Sequence, residues 1–341
     1  MLYVVLFFLM FSLYLYVLLG GADYGAGIVE LFSSKENQKI TKKTIYRVMG
    51  PVWEANHIWI IILIVILWIA FPVYYNIMVV HLHIPLTIVL LGVTLRGVAF
   101  VFRHYDAVID NSQKLYDGMF MTSSLITPIF LGIIFGALIS GKINIVDDIS
   151  TLTFYEAFIM PWCNLFSILV GLFFAALCAF LSSVLLIGES EGKNARIYIR
   201  KSIIATIIVV LIGIVTFGYG YISGNVFVEG FIKNPFAIIA VVLSGILLYP
   251  LNKMIKNGNT IWSRSLAGIQ VFLILLAALV AHFPDIIITS NSSISLIENI
   301  APDSVIKTLG ISLIIGGSVI LPGLFHLLKS FKMIKILEQN K

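Results

Sequence analysis

The 341 residues are 60% hydrophobic and only 11% charged, with a mean hydropathy of +1.03, whereas soluble domains are roughly a quarter charged. These values exclude a soluble globular chain and indicate an all-α polytopic membrane protein. The formal net charge of +5 does not mark a nucleic-acid binder, because Lys and Arg are scattered through short inter-helix segments and form no single patch.

Taking a span as about 20 mostly apolar residues, nine are expected, near residues 2–31, 52–76, 79–102, 116–140, 155–187, 199–222, 235–252, 262–283 and 304–328. The first is read as a retained helix, because no basic segment precedes it. The fifth is too long for a perpendicular span, so it tilts, projects, or changes direction near Met160-Pro161. Pro250 and the turn from Lys253 to Arg264 blur the seventh and eighth. Eighteen Lys and Arg fall in one set of alternate segments, including the Lys35–Arg47 stretch, Arg103, Lys114 and the tail with Lys332, Lys335 and Lys341; three fall in the other set. The bias places the N-terminus outside and the C-terminus in the cytoplasm. No linker or repeat divides the chain, so one membrane domain is expected. Cys163 and Cys178 share an apolar run and read as buried thiols, not as a disulfide.

Ionisable groups within these spans are the natural place to look for chemistry. Asp23 sits in Gly20-Gly21-Ala22-Asp23-Tyr24-Gly25-Ala26-Gly27, where small residues allow close helix contact. It is either the polar tie of a packing seam or a carboxylate on a proton or ligand path. Glu54, Asn56 and His57 lie in the first two turns of the second span, within Gly50-Pro51-Val52-Trp53-Glu54-Ala55-Asn56-His57-Ile58-Trp59. Glu54 and Ile58 share a helix face and His57 turns aside. Glu54 is read as a proton-relay group near a cytoplasmic inlet, with an interfacial carboxylate as the plainer reading. Arg96 is taken as the one basic residue well inside a span; it needs an anion, and an ion pair with Asp23 or Glu54 is the simplest answer. Of the six histidines (His57, His81, His83, His104, His282 and His326), no two read as a facing pair of haem ligands. Trp53, Trp59, Trp68 and Trp162 read as core or interfacial anchors.

The second-span stretch, closed by Phe71-Pro72, resembles the second-helix signature of subunit II of cytochrome bd-type quinol oxidases. Gly21-Ala22-Asp23-Tyr24-Gly25 resembles that family's first-helix motif, and Leu95-Arg96-Gly97-Val98-Ala99-Phe100 to Arg103 its arginine-bearing third helix. His282-Phe283-Pro284, the Ser/Asn-rich loop and the closing helix with Pro322 follow in the family's order. Gly20 stands where the family often has Asp, Glu54 where Asp is common, and His57 where Gln or Glu is usual.

The resemblance implies two four-helix bundles plus one helix, paired with a pseudo-symmetric subunit I. That partner bears the haems (b-type, with d- or b-type at the distal position) and oxidises quinol, and this chain binds none of them. Glu54, with Asp23, Asn56 and His57, would belong to a proton route from the cytoplasm to the oxygen-reducing haem. Trp59 would lie near a hydrophobic oxygen path, and Arg96 would form a structural ion pair. A structurally bound quinone or lipid and small single-helix accessory subunits occur in some members. The expected setting is a bacterial or archaeal cell membrane. The alternative is a stand-alone proton- or ion-coupled transporter with a site at Asp23, Glu54 and Arg96.

Overall fold

Several of the helices in this sequence start or stop at a proline or an asparagine, while Pro128, Pro250 and Pro322 lie inside helices. The computed structural model describes residues 1–105, 111–146, 148–189 and 193–330; Lys332, Lys335 and Lys341, counted above, lie outside them. Helix α1 spans Leu2–Leu31, with a π-turn at Tyr16–Gly20. It is followed by α2 (Lys35–Met49), α3 (Trp53–Ala70), α4 (Pro72–His81), α5 (His83–Tyr105) and α6 (Ser112–Ile139). Then come α7 (Phe154–Phe158), α8 (Leu165–Ile187), α9 (Lys193–Ile222), α10 (Val226–Lys233), α11 (Pro235–Lys256), α12 (Thr260–His282) and α13 (Asp303–Ser330). Among the described residues nine of these are long and apolar enough to cross a membrane.

Helix α3 ends earlier than the expected 52–76. Phe71 has φ −129° and ψ 61°, because the Pro72 ring crowds the residue before it and offers no N–H to continue the ladder. Pro72 instead opens the separate helix α4. The long run at 155–187 also divides. Thr153 and Glu156 form a capping box on the short α7, the chain turns through Met160-Pro161, and Asn164 caps α8 by accepting from Ser167 N at 2.9 Å. Asn225, Asn234 and Asn259 cap α10, α11 and α12 in the same way, each satisfying amides that a helix start leaves free. Helix α11 runs on through Pro250 to Lys256, past the expected 252. Cys178 is buried as expected, whereas Cys163 is exposed, and both are free thiols.

One bundle comprises α1, α3, α5 and α6, the other α8, α9, α11 and α12. They meet where α1 and α6 pack on α8, and α13 lies outside against α1 and α3. A core of Phe100, Phe120, Leu181, Tyr198 and Val271 fills the junction nearest α2. The opposite end is closed by the Ser/Asn-rich loop, which holds a two-stranded antiparallel hairpin, β1 (Ile287–Ile288) with β2 (Ser293–Ile294). Ala301 N donates to the Ala70 carbonyl at 2.9 Å and the Tyr74 hydroxyl donates to that of Ile294, tying the loop to the ends of α3 and α4.

Candidate polar site between the first-bundle helices

Close backbone approach is what brings the charged groups together. A Cβ added at Gly25 would lie 1.8 Å from the Cys178 carbonyl oxygen, and one at Gly27 would lie 2.2 Å from Ser124 Oγ. Only glycine at these two places lets α1 settle against α8 and α6. The π-turn adds a second adjustment. In an unbroken α-helix the eight-residue step from Tyr16 to Tyr24 leaves them roughly 80° apart around the axis, and absorbing one extra residue brings them to within about 20°. Their hydroxyls meet at 3.0 Å.

Asp23 and Arg96 are paired in the interior. Arg96 Nη1 donates to Asp23 Oδ2 at 2.5 Å, Nη2 to the Asp23 carbonyl at 2.8 Å and Nε to Ser124 Oγ at 3.0 Å. The guanidinium also lies 5.2 Å from the centre of the Tyr24 ring and 4.9 Å from that of Phe120. Both side chains are buried, so the charge is matched by a fixed counter-charge and by aromatic faces. His57 Nε2 stands 3.6 Å from Asp23 Oδ2, with its ring beside those of Tyr16 and Tyr24. Asp23 Oδ1, His57 Nδ1 and Trp59 Nε1 are buried and have no partner among the described residues.

Glu54 takes no part in this pairing. It is exposed, and it heads a stripe of α3 on which Ile58, Ile61, Val65 and Trp68 are also uncovered. The expected trio of Asp23, Glu54 and Arg96 is therefore not assembled, because α3 turns His57 inward and Glu54 outward. Asn56 is buried and makes no side-chain hydrogen bond among the described residues. Trp59 is buried edge-on to Phe11, ring centres 5.8 Å apart.

A second buried pair was not foreseen. Arg103, expected in a loop, lies inside α5; its Nη2 donates to Glu30 Oε1 at 2.6 Å, and its Nε lies 3.1 Å from Asp117 Oδ1. Lys42 Nζ donates to the same Asp117 oxygen at 2.6 Å. The signal was present as spacing: Asp23 and Glu30, Arg96 and Arg103, and Asp117 and Ser124 are each seven residues apart, two helical turns on one face. The other histidines have local partners. His81 and His83 Nδ1 face the carbonyls of Ala157 and Val80, His104 stacks on Tyr46, and His282 stacks on Phe227 with Nε2 at its carbonyl.

The model of a family described as cytochrome bd terminal oxidase subunit II matches residues 1–331. Cytochrome bd ubiquinol oxidase subunit 2 of Bacillus subtilis is 26% identical over 281 residues, covering 81% of this chain and 78% of that protein. Cytochrome bd-I ubiquinol oxidase subunit 2 of Escherichia coli is 24% identical over 153 residues, 44% of this chain and 39% of that protein. A chain of the solved bd oxidase from Geobacillus thermodenitrificans superposes with a TM-score of 0.75 over 96% of this chain and 97% of that one at 17% identity, which speaks for a shared fold. A family match over nearly the full length, and a pair of buried charges that excludes Glu54, leave the transporter reading without support. The chain belongs to the cytochrome bd terminal oxidase subunit II family.

Proposed function

We propose that this chain works as the haem-free half of a quinol:oxygen oxidoreductase and conducts protons from the cytoplasm towards the partner that reduces oxygen. A subunit II implies a subunit I, and the uncovered stripe of α3 is the surface on which that partner would sit. The observation that carries the reading is Glu54, an exposed carboxylate at the head of an otherwise apolar membrane-spanning stripe. A carboxylate there is costly against lipid and suits a protein interface or a hydrated path.

Glu54 is three residues from His57 on α3, exposed on the outer side of the helix where His57 is turned inward. His57 in turn faces the buried Asp23. Asp23, paired with Arg96, and His57 lie on the inner side of α3 and Glu54 on its outer surface, so the proposed route needs a water-bridged step between His57 and Glu54. Asn56, buried and next to His57 in the chain, adds an amide able to donate and accept. Trp59, sealed against Phe11, forms an apolar wall suited to an oxygen path. The haems are assigned to the partner, as the resemblance to the family implies. The working setting is a bacterial cell membrane, with the basic end of the bundle, where α2 lies, facing the cytoplasm. In the purified two-subunit complex, Glu54→Gln should slow quinol-driven oxygen consumption per haem by about tenfold or more and leave haem content intact. Oxygen consumption at the unmodified rate in that variant would overturn the proton-route assignment.

A further inference from the structure

The proton route proposed above uses the Asp23 level of the molecule and leaves Glu30 unexplained. Glu30 is 2% exposed and lies seven residues beyond Asp23, about 10 Å further along α1 towards the basic end. Its Oε1 is held by Arg103, while its Oε2 is buried with no partner among the described residues, as is Arg103 Nη1. Asp23 shows the same division, with Oδ2 on Arg96 and Oδ1 unpartnered. The Phe120 ring lies between the two levels, 4.9 Å from the Arg96 guanidinium and 4.3 Å from that of Arg103; it neither donates nor accepts a proton, so a path between the levels runs beside it. Outward from Glu30 the charges continue through Asp117 to Lys42. Asp117 and Lys42 side chains are 30% and 27% exposed, so this chain of groups reaches solvent. On the far side Lys201 of α9 donates to the Val29 carbonyl at 2.9 Å and to the Ser33 hydroxyl, within electrostatic range of Glu30.

A purely structural ion pair is best served when every polar atom is satisfied. Here a carboxylate oxygen and a guanidinium nitrogen are both left over at one buried spot. That mixture of unused acceptor and donor suits water, which accepts from one and donates to the other. An arginine does not release its proton; Asp117 and Lys42 are partly exposed and Lys201 is held by Val29 and Ser33, which leaves Glu30 as the buried carboxylate with an unused oxygen.

We propose that Glu30 is the cytoplasmic intake residue of an inner proton branch. It takes a proton from solvent beside Lys42 and Asp117 and passes it through hydrated space along α1 to the Asp23 and His57 cluster. Arg103 is its positioning residue. The inference rests on the proton-route reading, and the test separates the two.

The test compares Glu30→Gln, Glu30→Asp and Glu54→Gln in the purified complex, reading oxygen consumption per haem and its solvent deuterium isotope effect. Glu30→Gln should slow turnover per haem by about tenfold or more with a raised isotope effect, and Glu30→Asp should restore most of the rate. A merely structural Glu30 would instead change the yield of complex and leave turnover per haem and the isotope effect unmoved, which overturns the inference. Should Glu30→Gln fail to assemble, the double variant Glu30→Gln with Arg103→Gln removes both charges together, and slow turnover is again expected. Slow Glu54→Gln with normal turnover in the Glu30 variants overturns this inference alone. Normal turnover in all of them overturns the proton-route reading as well.

Discussion

At the scale of single residues, the interior of the first bundle is built on two carboxylate–arginine pairs, and each carboxylate keeps one oxygen unused. Removing one partner of such a pair strands the other charge in a low-dielectric site, at a cost of about 3–5 kcal/mol. Arg96→Leu should therefore lower the thermal unfolding temperature of the complex sharply. Adding Asp23→Asn to Arg96→Leu should recover a large part of the loss, because no uncompensated charge remains. A double variant as unstable as the single one, measured by loss of the assembled complex on heating, would contradict the pairing. Asp23 and Arg96 were legible as residues in need of partners, since charges inside apolar runs stand out. Glu30 and Arg103 were not, because both stand where the apolar runs give way to polar sequence and so pass for interfacial residues. Their seven-residue offsets were visible on each helix, but which helices face one another is a tertiary fact that spacing on one strand of sequence does not contain.

At the scale of elements, helix α1 does two things that an ordinary span does not. It touches α8 at backbone distance through Gly25, and it carries a π-turn that brings Tyr16 and Tyr24 together. The glycine cluster announced close packing in the sequence. The π-turn did not, since Tyr16-Val17-Leu18-Leu19-Gly20 reads as unbroken apolar helix. The division at 154–164 was legible, because Met160-Pro161 marks it, whereas the end of α3 at Ala70 was missed, because the apolar run continues past Pro72. Gly25→Ala should reduce stability clearly, since its Cβ would overlap the Cys178 carbonyl with no flexible atom to give way. Gly218, in α9, has nothing within 4 Å of an added Cβ, so Gly218→Ala should be neutral or stabilising by up to about 1 kcal/mol. Thermal unfolding of the two variants side by side checks this, and equal effects would count against the close approach of α1 to α8.

At the scale of the whole molecule, the helical class and the family resemblance came directly from composition and from the motif around Glu54. What the sequence could not show is that Glu54 and His57, three residues apart, divide between an outer and an inner face. That division makes α3 the boundary between the buried Asp23, Arg96 and His57 cluster and an uncovered stripe headed by Glu54; in the proposed route Glu54 is the group on the surface taken to face the partner. The most direct measurement is of proton uptake itself. The fully reduced complex, sealed in vesicles with the cytoplasmic side facing a pH-indicating dye, is mixed with oxygen while haem absorbance and dye are followed together. The account predicts that in Glu54→Gln dye-detected uptake lags well behind that of the unmodified complex while oxygen still binds at the normal rate. Proton uptake with unaltered timing and amplitude in that variant would contradict it.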